Sequence, residues 1–169
     1  MESRAKVLGH SLHPMTIVFP LGLLSTATIF DSIALVLDKD IFPVVAFWMI
    51  VAGLIGGLAA SIFGWIDWFV IPSGTRAKRV GLIHALANGL VMLMYLGSDY
   101  LRYDDPAQPT LPAILLSFAG FATSLIGGWL GGELVERLGV AVHTGANINA
   151  PSSLVVDPPL IARDNAEEI

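Results

Sequence analysis

The chain has 169 residues, of which 54% are hydrophobic and only 14% are charged, and its formal net charge at pH 7 is −5. Soluble domains carry about 25% charged residues, so this composition excludes a disordered chain and a highly charged surface module. Nine Lys+Arg against fourteen Asp+Glu also leave no basic surface for nucleic acid. Because cysteine is absent, disulfides, thiolate metal sites, cysteine nucleophiles and cysteine-ligated iron–sulfur clusters are excluded. The remaining class is a small integral membrane protein.

Four apolar stretches are each long enough to cross about 30 Å of hydrocarbon at about 1.5 Å per residue. They cover residues 14–37, 43–71, 80–101 and 111–138. Each is continuous and lacks the alternation of barrel strands, which predicts helices. Pro20 lies inside the first stretch and should bend that helix. The first stretch is longer than the core of a secretory signal peptide and lacks a clear cleavage site, so we expect it to be retained.

Short loops between these stretches force neighbouring helices to run antiparallel. The sequence therefore predicts an all-α, integral membrane, up-down-up-down four-helix bundle formed by residues 1–142. We expect the polar residues 143–169 to form a poorly ordered tail. No internal repeat is evident.

The distribution of basic residues predicts the orientation in the membrane. The face that holds both termini carries six basic residues, and the opposite face carries two together with four Asp. Both the N- and C-termini are therefore expected to be cytoplasmic. The six basic residues are Arg4, Lys6, Arg76, Lys78, Arg79 and Arg137.

Small residues cluster in the second and fourth predicted helices, where they allow close approach of two backbones. They exceed what one four-helix core needs, which favours a homodimer through these glycine-rich faces. They are Gly53, Gly56, Gly57 and Ala60, and Gly127, Gly128, Gly131 and Gly132.

Polar side chains inside predicted spans are costly and are therefore candidates for function. Since alternate helices run in opposite directions, six such residues fall at a similar depth near the predicted cytoplasmic face. We expect them to meet in one pocket. They are His10 and His13 in the first helix, Asp67 in the second, His84 and Asn88 in the third, and Glu133 in the fourth.

The first and third helices are diagonal in such a bundle, so His13 and His84 are expected to face each other across its centre. Two imidazoles in this position suit axial binding of haem b, with His10 as a competitor for His13. Asn88, Asp67 and the carboxylate of Glu133 would then orient the imidazoles. The favoured function is an electron carrier.

Other functions stay open at this point. One is a non-haem iron, zinc or manganese site, since imidazole and carboxylate ligands suit these metals. Others are a small proton or ion conduit, or an interacting subunit without a cofactor. The sequence does not decide whether the protein is an enzyme. The ligands of the non-haem site would be His10, His13, Asp67, His84 and Glu133.

Each polar residue also has a simpler explanation in ion pairing or solvation. These explanations are headgroup exposure for His10 and His13, an ion pair with Arg76 or Arg79 for Asp67, an ion pair with Arg137 for Glu133, and solvation at the helix ends for Asp31, Asp99 and His143.

Five motifs stand out in combination: Gly9-His10-Ser11-Leu12-His13-Pro14-Met15, Phe19-Pro20-Leu21-Gly22-Leu23, Gly64-Trp65-Ile66-Asp67-Trp68, Leu82-Ile83-His84-Ala85-Leu86-Ala87-Asn88 and Gly128-Trp129-Leu130-Gly131-Gly132-Glu133-Leu134-Val135. Over residues 9–142 the chain thereby resembles the DUF2231 family of bacterial predicted membrane proteins. The resemblance implies a multi-pass protein of the bacterial inner membrane, and the motifs include the same six polar residues. Some related chains are joined to Rieske-type iron–sulfur domains, which implies electron transfer, a redox cofactor and a redox partner.

The chain departs from the family pattern at one position. Relatives often have a Tyr-Arg-His-Gly-Val pattern where this chain has Glu136-Arg137-Leu138-Gly139-Val140. If the family histidine is a ligand, this chain has lost it at Leu138 or uses His143 in its place.

Overall fold

The computed structural model describes residues 1–155, and the part of the predicted tail from 156 to 169 lies outside the described residues. Residues 143–155 form turns and contain neither helix nor strand. A short strand hairpin precedes the helices. The elements are β1 Lys6–Val7, β2 His10–Ser11, α1 Leu12–Thr16, α2 Val18–Leu37, α3 Ile41–Val70, α4 Arg76–Leu101 and α5 Leu111–Gly132, which a π-helical turn continues over Glu133–Arg137.

Four helical segments are long and apolar enough to cross a membrane, which confirms the predicted all-α membrane bundle. We call them the first to fourth spans. They are Leu12–Leu37, Ile41–Val70, Arg76–Leu101 and Leu111–Arg137.

Local chemistry explains two details of the helix ends. The third span begins four residues before its predicted start because the Thr75 hydroxyl accepts a hydrogen bond from the Lys78 amide at 3.1 Å and so caps the helix. The first span is interrupted at Ile17, between α1 and α2. Pro20 follows within one turn and cannot donate to the Thr16 carbonyl, which accounts for the interruption. The bend itself stays a prediction.

The spans pack as two helix pairs. The first span packs mainly on the second and the third mainly on the fourth, while the second also contacts the third and the first contacts the fourth. The first and third spans are therefore diagonal. An apolar cluster fills the interior between them, formed by Leu24, Ala27, Ala46, Ile50, Val91 and Tyr95.

A buried polar cluster lies beside this apolar interior. The Tyr95 side chain is fully buried and its hydroxyl donates to the Leu24 carbonyl at 3.0 Å. The Thr28 hydroxyl lies 2.8 Å from the Tyr95 hydroxyl and 3.2 Å from that of Ser117. Each hydroxyl thus has a partner, as buried polar groups require.

A buried ion pair joins the far ends of the first and third spans. Arg102 donates from Nη1 to Asp31 Oδ1 at 2.8 Å and from Nη2 to Asp31 Oδ2 at 3.1 Å. Arg102 Nη2 also donates to the Ser98 hydroxyl at 3.0 Å. Both charged side chains are completely shielded from solvent. The expectation that Asp31 is a solvated residue is therefore wrong, because Arg102 reaches back from the end of α4 to neutralise it.

Replacing Asp31 by Asn keeps the shape of the side chain but leaves the Arg102 charge buried without a counter-ion. We expect Asp31→Asn to lower the free energy of unfolding in detergent by about 3–5 kcal/mol. Asp104→Asn is the matched control, since Asp104 is exposed and its change should cost little. Equal unfolding transitions for the two variants would contradict this role of the ion pair.

Candidate functional site

Two histidines from diagonal spans face each other inside the bundle. His13 lies in α1 and His84 in α4, and both side chains are half-buried. Their ring centroids are 6.3 Å apart, and the ring planes are nearly perpendicular at 85°. We call these two residues the histidine pair.

Hydrogen bonds fix which nitrogen of each ring is free. His13 Nδ1 lies 2.9 Å from the Ala60 carbonyl oxygen, and His84 Nδ1 lies 3.0 Å from the Gly127 carbonyl oxygen. A carbonyl oxygen only accepts, so each Nδ1 carries the hydrogen and each Nε2 keeps its lone pair. Imidazoles that bind metals show this arrangement, with one ring nitrogen donating to a protein acceptor and the other free.

Glycines provide the space for both rings. Gly64 follows Ala60 by one turn of α3, and Gly131 follows Gly127 by one turn of α5. A Cβ atom at Gly64 would lie 2.9 Å from His13 Cε1, and one at Gly131 would lie 3.2 Å from His84 Cε1. Each imidazole therefore approaches the backbone of the neighbouring span because a side chain is missing there. The sequence indicated Gly131 as a helix-packing residue and Gly64 only as part of a family motif, so the contact of each glycine with an imidazole was missed.

Asn88 completes the group. It lies one turn after His84 and donates from Nδ2 to the His84 carbonyl at 2.8 Å. The same Nδ2 lies 3.4 Å from both ring nitrogens of His84, so the amide lies against that ring. Asn88 thus limits the rotation of the His84 side chain.

Asp67 has a different role from those that the sequence suggested. Its Oδ1 accepts hydrogen bonds from the Ser3 hydroxyl at 2.7 Å and from the Arg4 amide at 3.0 Å. The buried carboxylate therefore anchors the N-terminal segment instead of pairing with Arg76 or Arg79.

A second contact ties this N-terminal segment to the chain after the fourth span. Glu2 pairs with Lys6, and it accepts hydrogen bonds from the Thr144 amide and hydroxyl. The Lys6 ammonium, followed by the Thr144 amide, lowers the pKa of Glu2 to about 2. His143 is exposed and lies 3.4 Å from Glu2. Glu2 is therefore ionised at neutral pH.

Glu133 and His10 have hydrogen-bond partners outside the histidine pair. Glu133 accepts from Arg76 Nη2 at 2.6 Å, so its partner is Arg76 and not Arg137. His10 is exposed, and its Nδ1 lies 3.2 Å from the Leu8 carbonyl oxygen. No group of three or more His, Asp or Glu side chains within residues 1–155 is placed to hold a metal ion. Of the six predicted residues, the structure brings together His13, His84 and Asn88.

Comparison with known proteins identifies one family. The family described as a predicted membrane protein (DUF2231) matches residues 9–144, which is well over half of the chain. No curated protein and no solved structure matches the chain.

Filling the seat of His13 should disturb the histidine pair. We expect Gly64→Ala to lower the free energy of unfolding by about 1–3 kcal/mol, because the new methyl group overlaps the imidazole. Gly89→Ala is the matched control, since nothing lies within 4 Å of a Cβ at that position in α4. The control should be neutral or slightly stabilising, because alanine favours a helix over glycine by about 0.5–1 kcal/mol. If Gly64→Ala leaves the free energy of unfolding unchanged in the same chemical unfolding assay, the His13 ring is not packed tightly against Gly64.

Removing the Asp67 carboxylate should release the N-terminal segment. Hydrogen bonds to charged groups contribute about 1.5–3 kcal/mol, so Asp67→Ala should accelerate amide exchange at Arg4 about ten- to a hundredfold. Hydrogen–deuterium exchange followed by mass spectrometry measures this rate. Glu133→Ala serves as the control, because its partner Arg76 lies on α4. Unchanged exchange in Asp67→Ala would contradict the anchoring role.

Proposed function

Because the chain belongs to the DUF2231 family of predicted membrane proteins, whose activity its description does not state, we propose a function from the histidine pair. The protein is a membrane-embedded electron carrier that binds haem b between His13 and His84. The observation that supports this proposal is the pair of imidazoles from diagonal spans, each with Nδ1–H on a helix carbonyl, which makes Nε2 the ligand atom.

The separation of the two rings fits a metal centre between them. Imidazole nitrogens bind metals at about 2.0–2.1 Å. With the distance from each nitrogen to the centre of its ring added, two such bonds would span a separation close to the observed 6.3 Å. His13 and His84 are therefore close enough that both would hold one haem iron.

Two protein ligands favour haem over the non-haem alternative. A zinc site formed by protein alone needs three or four ligands, whereas a porphyrin already supplies four nitrogens and needs only axial ligands. His10, Asp67 and Glu133 are engaged elsewhere. The non-haem iron, zinc or manganese site thus has less support from the contacts.

Haem supplies one-electron chemistry when it is bound, and the chain supplies the surroundings. The carbonyls of Ala60 and Gly127 hold the two rings in one tautomer, and Asn88 restrains His84. Beyond the pair, the apolar side chains of Leu24 and Val91 keep water out of the bundle centre.

A proton or ion conduit has less support. Apolar residues fill the interior between Asn88 and Tyr95. At the far end, Arg102 and Asp31 are hydrogen-bonded to each other and completely buried, so this polar pair does not open a path to solvent.

The proposal also covers the orientation of the protein in the membrane and its partners. The positive-inside count supports cytoplasmic termini in a bacterial inner membrane. An electron carrier requires a redox partner, which we place at the end of the bundle nearest the histidine pair. Gly128 and Gly132 have no atom within 4 Å of a Cβ position, so these two glycines remain available for a homodimer through the fourth span.

The test is the absorption spectrum of detergent-purified protein after expression with added haem precursor. We expect a Soret band that is lost in His84→Ala and in His13→Ala, because each variant lacks one axial ligand. His10→Ala and His143→Ala are matched controls and should keep the band, since both side chains are exposed. A colourless wild-type protein would contradict haem binding. Stoichiometric iron, zinc or manganese in that colourless protein would favour the non-haem alternative.

A further inference from the structure

Three contacts across the bundle join residues that are separated by the same number of positions. Tyr95 donates to Leu24, and Arg102 pairs with Asp31, each across 71 positions. The histidine pair has the same separation, since His84 follows His13 by 71. The first and third spans therefore meet at three levels in one constant register.

The second and fourth spans repeat the surroundings of these contacts with a separation of 67 positions. Gly64 seats His13 and Gly131 seats His84. One level further, a Cβ at Gly53 would lie 2.6 Å from Leu24, and a Cβ at Gly120 would lie 2.9 Å from Tyr95. Gly53 and Gly64 of the second span thus have counterparts in Gly120 and Gly131 of the fourth span, where each glycine leaves room for a side chain of the adjacent span. The carbonyls that accept from the imidazoles belong to Ala60 and Gly127 and follow the same rule.

Buried residues also recur at separations of 71 positions between the first and third spans and 67 positions between the second and fourth spans. Among the completely buried residues, four small ones form two equivalent pairs. In the odd-numbered spans they are Ala27 and Ser98, and in the even-numbered spans they are Ala46 and Ala113.

We infer that the membrane domain consists of two equivalent helical hairpins, the first and second spans and the third and fourth spans, related by a pseudo-twofold axis parallel to the spans. The reciprocal contacts agree, since the second span touches the third and the first touches the fourth. The sequence shows no repeat because the residues that meet on the axis differ chemically at two of three levels, so the expectation of no internal repeat is corrected.

The axis crosses most of the membrane. Asp31 lies 18 positions after His13, and Arg102 lies 18 positions after His84, which corresponds to about 27 Å of helix. The hydrocarbon core is about 30 Å thick. The histidine pair therefore lies at one end of the axis, and the ion pair lies at the other.

This symmetry specifies the class of ligand and rests on the proposed function. Each hairpin contributes one complete half-site: an imidazole, a helix carbonyl that fixes it and a glycine that seats it. A ligand on the axis receives the same donor from two opposite sides. It must therefore offer two equivalent coordination positions that a twofold axis exchanges, as a metal in a planar tetrapyrrole does.

The symmetry is tested without any ligand by distances between spin labels. The chain has no cysteine, so labels attach only at introduced positions. Four exposed residues form two equivalent pairs, one in each hairpin. The pairs are Ile29→Cys with Leu58→Cys, and Tyr100→Cys with Leu125→Cys.

Pulsed electron paramagnetic resonance on each double variant of the full chain gives one distance per pair. We expect equal distances within the two hairpins. The reciprocal pairs, Ile29→Cys with Leu125→Cys and Tyr100→Cys with Leu58→Cys, should also give equal distances, because a twofold axis exchanges them. Unequal distances within the hairpins would overturn the repeat, and unequal reciprocal distances would overturn the axis.

A separate measurement, the haem content, tests the class of ligand. In protein that carries the Soret band, Gly64→Ala and Gly131→Ala should lower the haem content by the same factor, since they fill equivalent seats. A large difference between the two variants would contradict equivalent half-sites. A wild-type protein without the band contradicts haem binding but leaves the label distances, and hence the symmetry, to be judged separately.

Discussion

The structure depends on one constraint, which is that a polar group inside a membrane needs a partner from the protein itself. The imidazoles meet this constraint by donating to helix carbonyls, and they reach those carbonyls because the residues one turn later are glycines. Asp31 meets this constraint by accepting two hydrogen bonds from the Arg102 guanidinium. With each Nδ1 held by a carbonyl, Nε2 is the ring nitrogen that remains as the ligand atom in the proposed function.

Much of this arrangement follows from the sequence. Long apolar stretches joined by short loops determine four antiparallel spans, and the order of spans makes the first and third diagonal. Helix direction then determines depth, which is why His13 and His84 were expected at the same level on opposite sides of the centre. The family motifs agree with these positions.

Depth does not determine the partner of a residue, because rotation about the helix axis and the path of connecting segments decide which groups touch. Asp67 lies at the expected level but accepts from Ser3 and Arg4, and no periodicity places an N-terminal segment there. Glu133 of the fourth span also lies at the expected level, but its partner is Arg76 of the third span. Thr75 caps the start of the third span through a local hydrogen bond, and a hydropathy pattern contains no information on such a bond.

The ion pair at the far end has a consequence for the history of the chain. Two separate, identical hairpins would place the same residue on both sides of a twofold axis, so an acid would meet an acid and a base would meet a base. Joining both hairpins in one polypeptide removes that restriction and lets the facing positions diverge into Asp31 and Arg102. In the inferred symmetry, covalent linkage thus permits an asymmetric ion pair between equivalent positions, which two separate copies of one hairpin could not form.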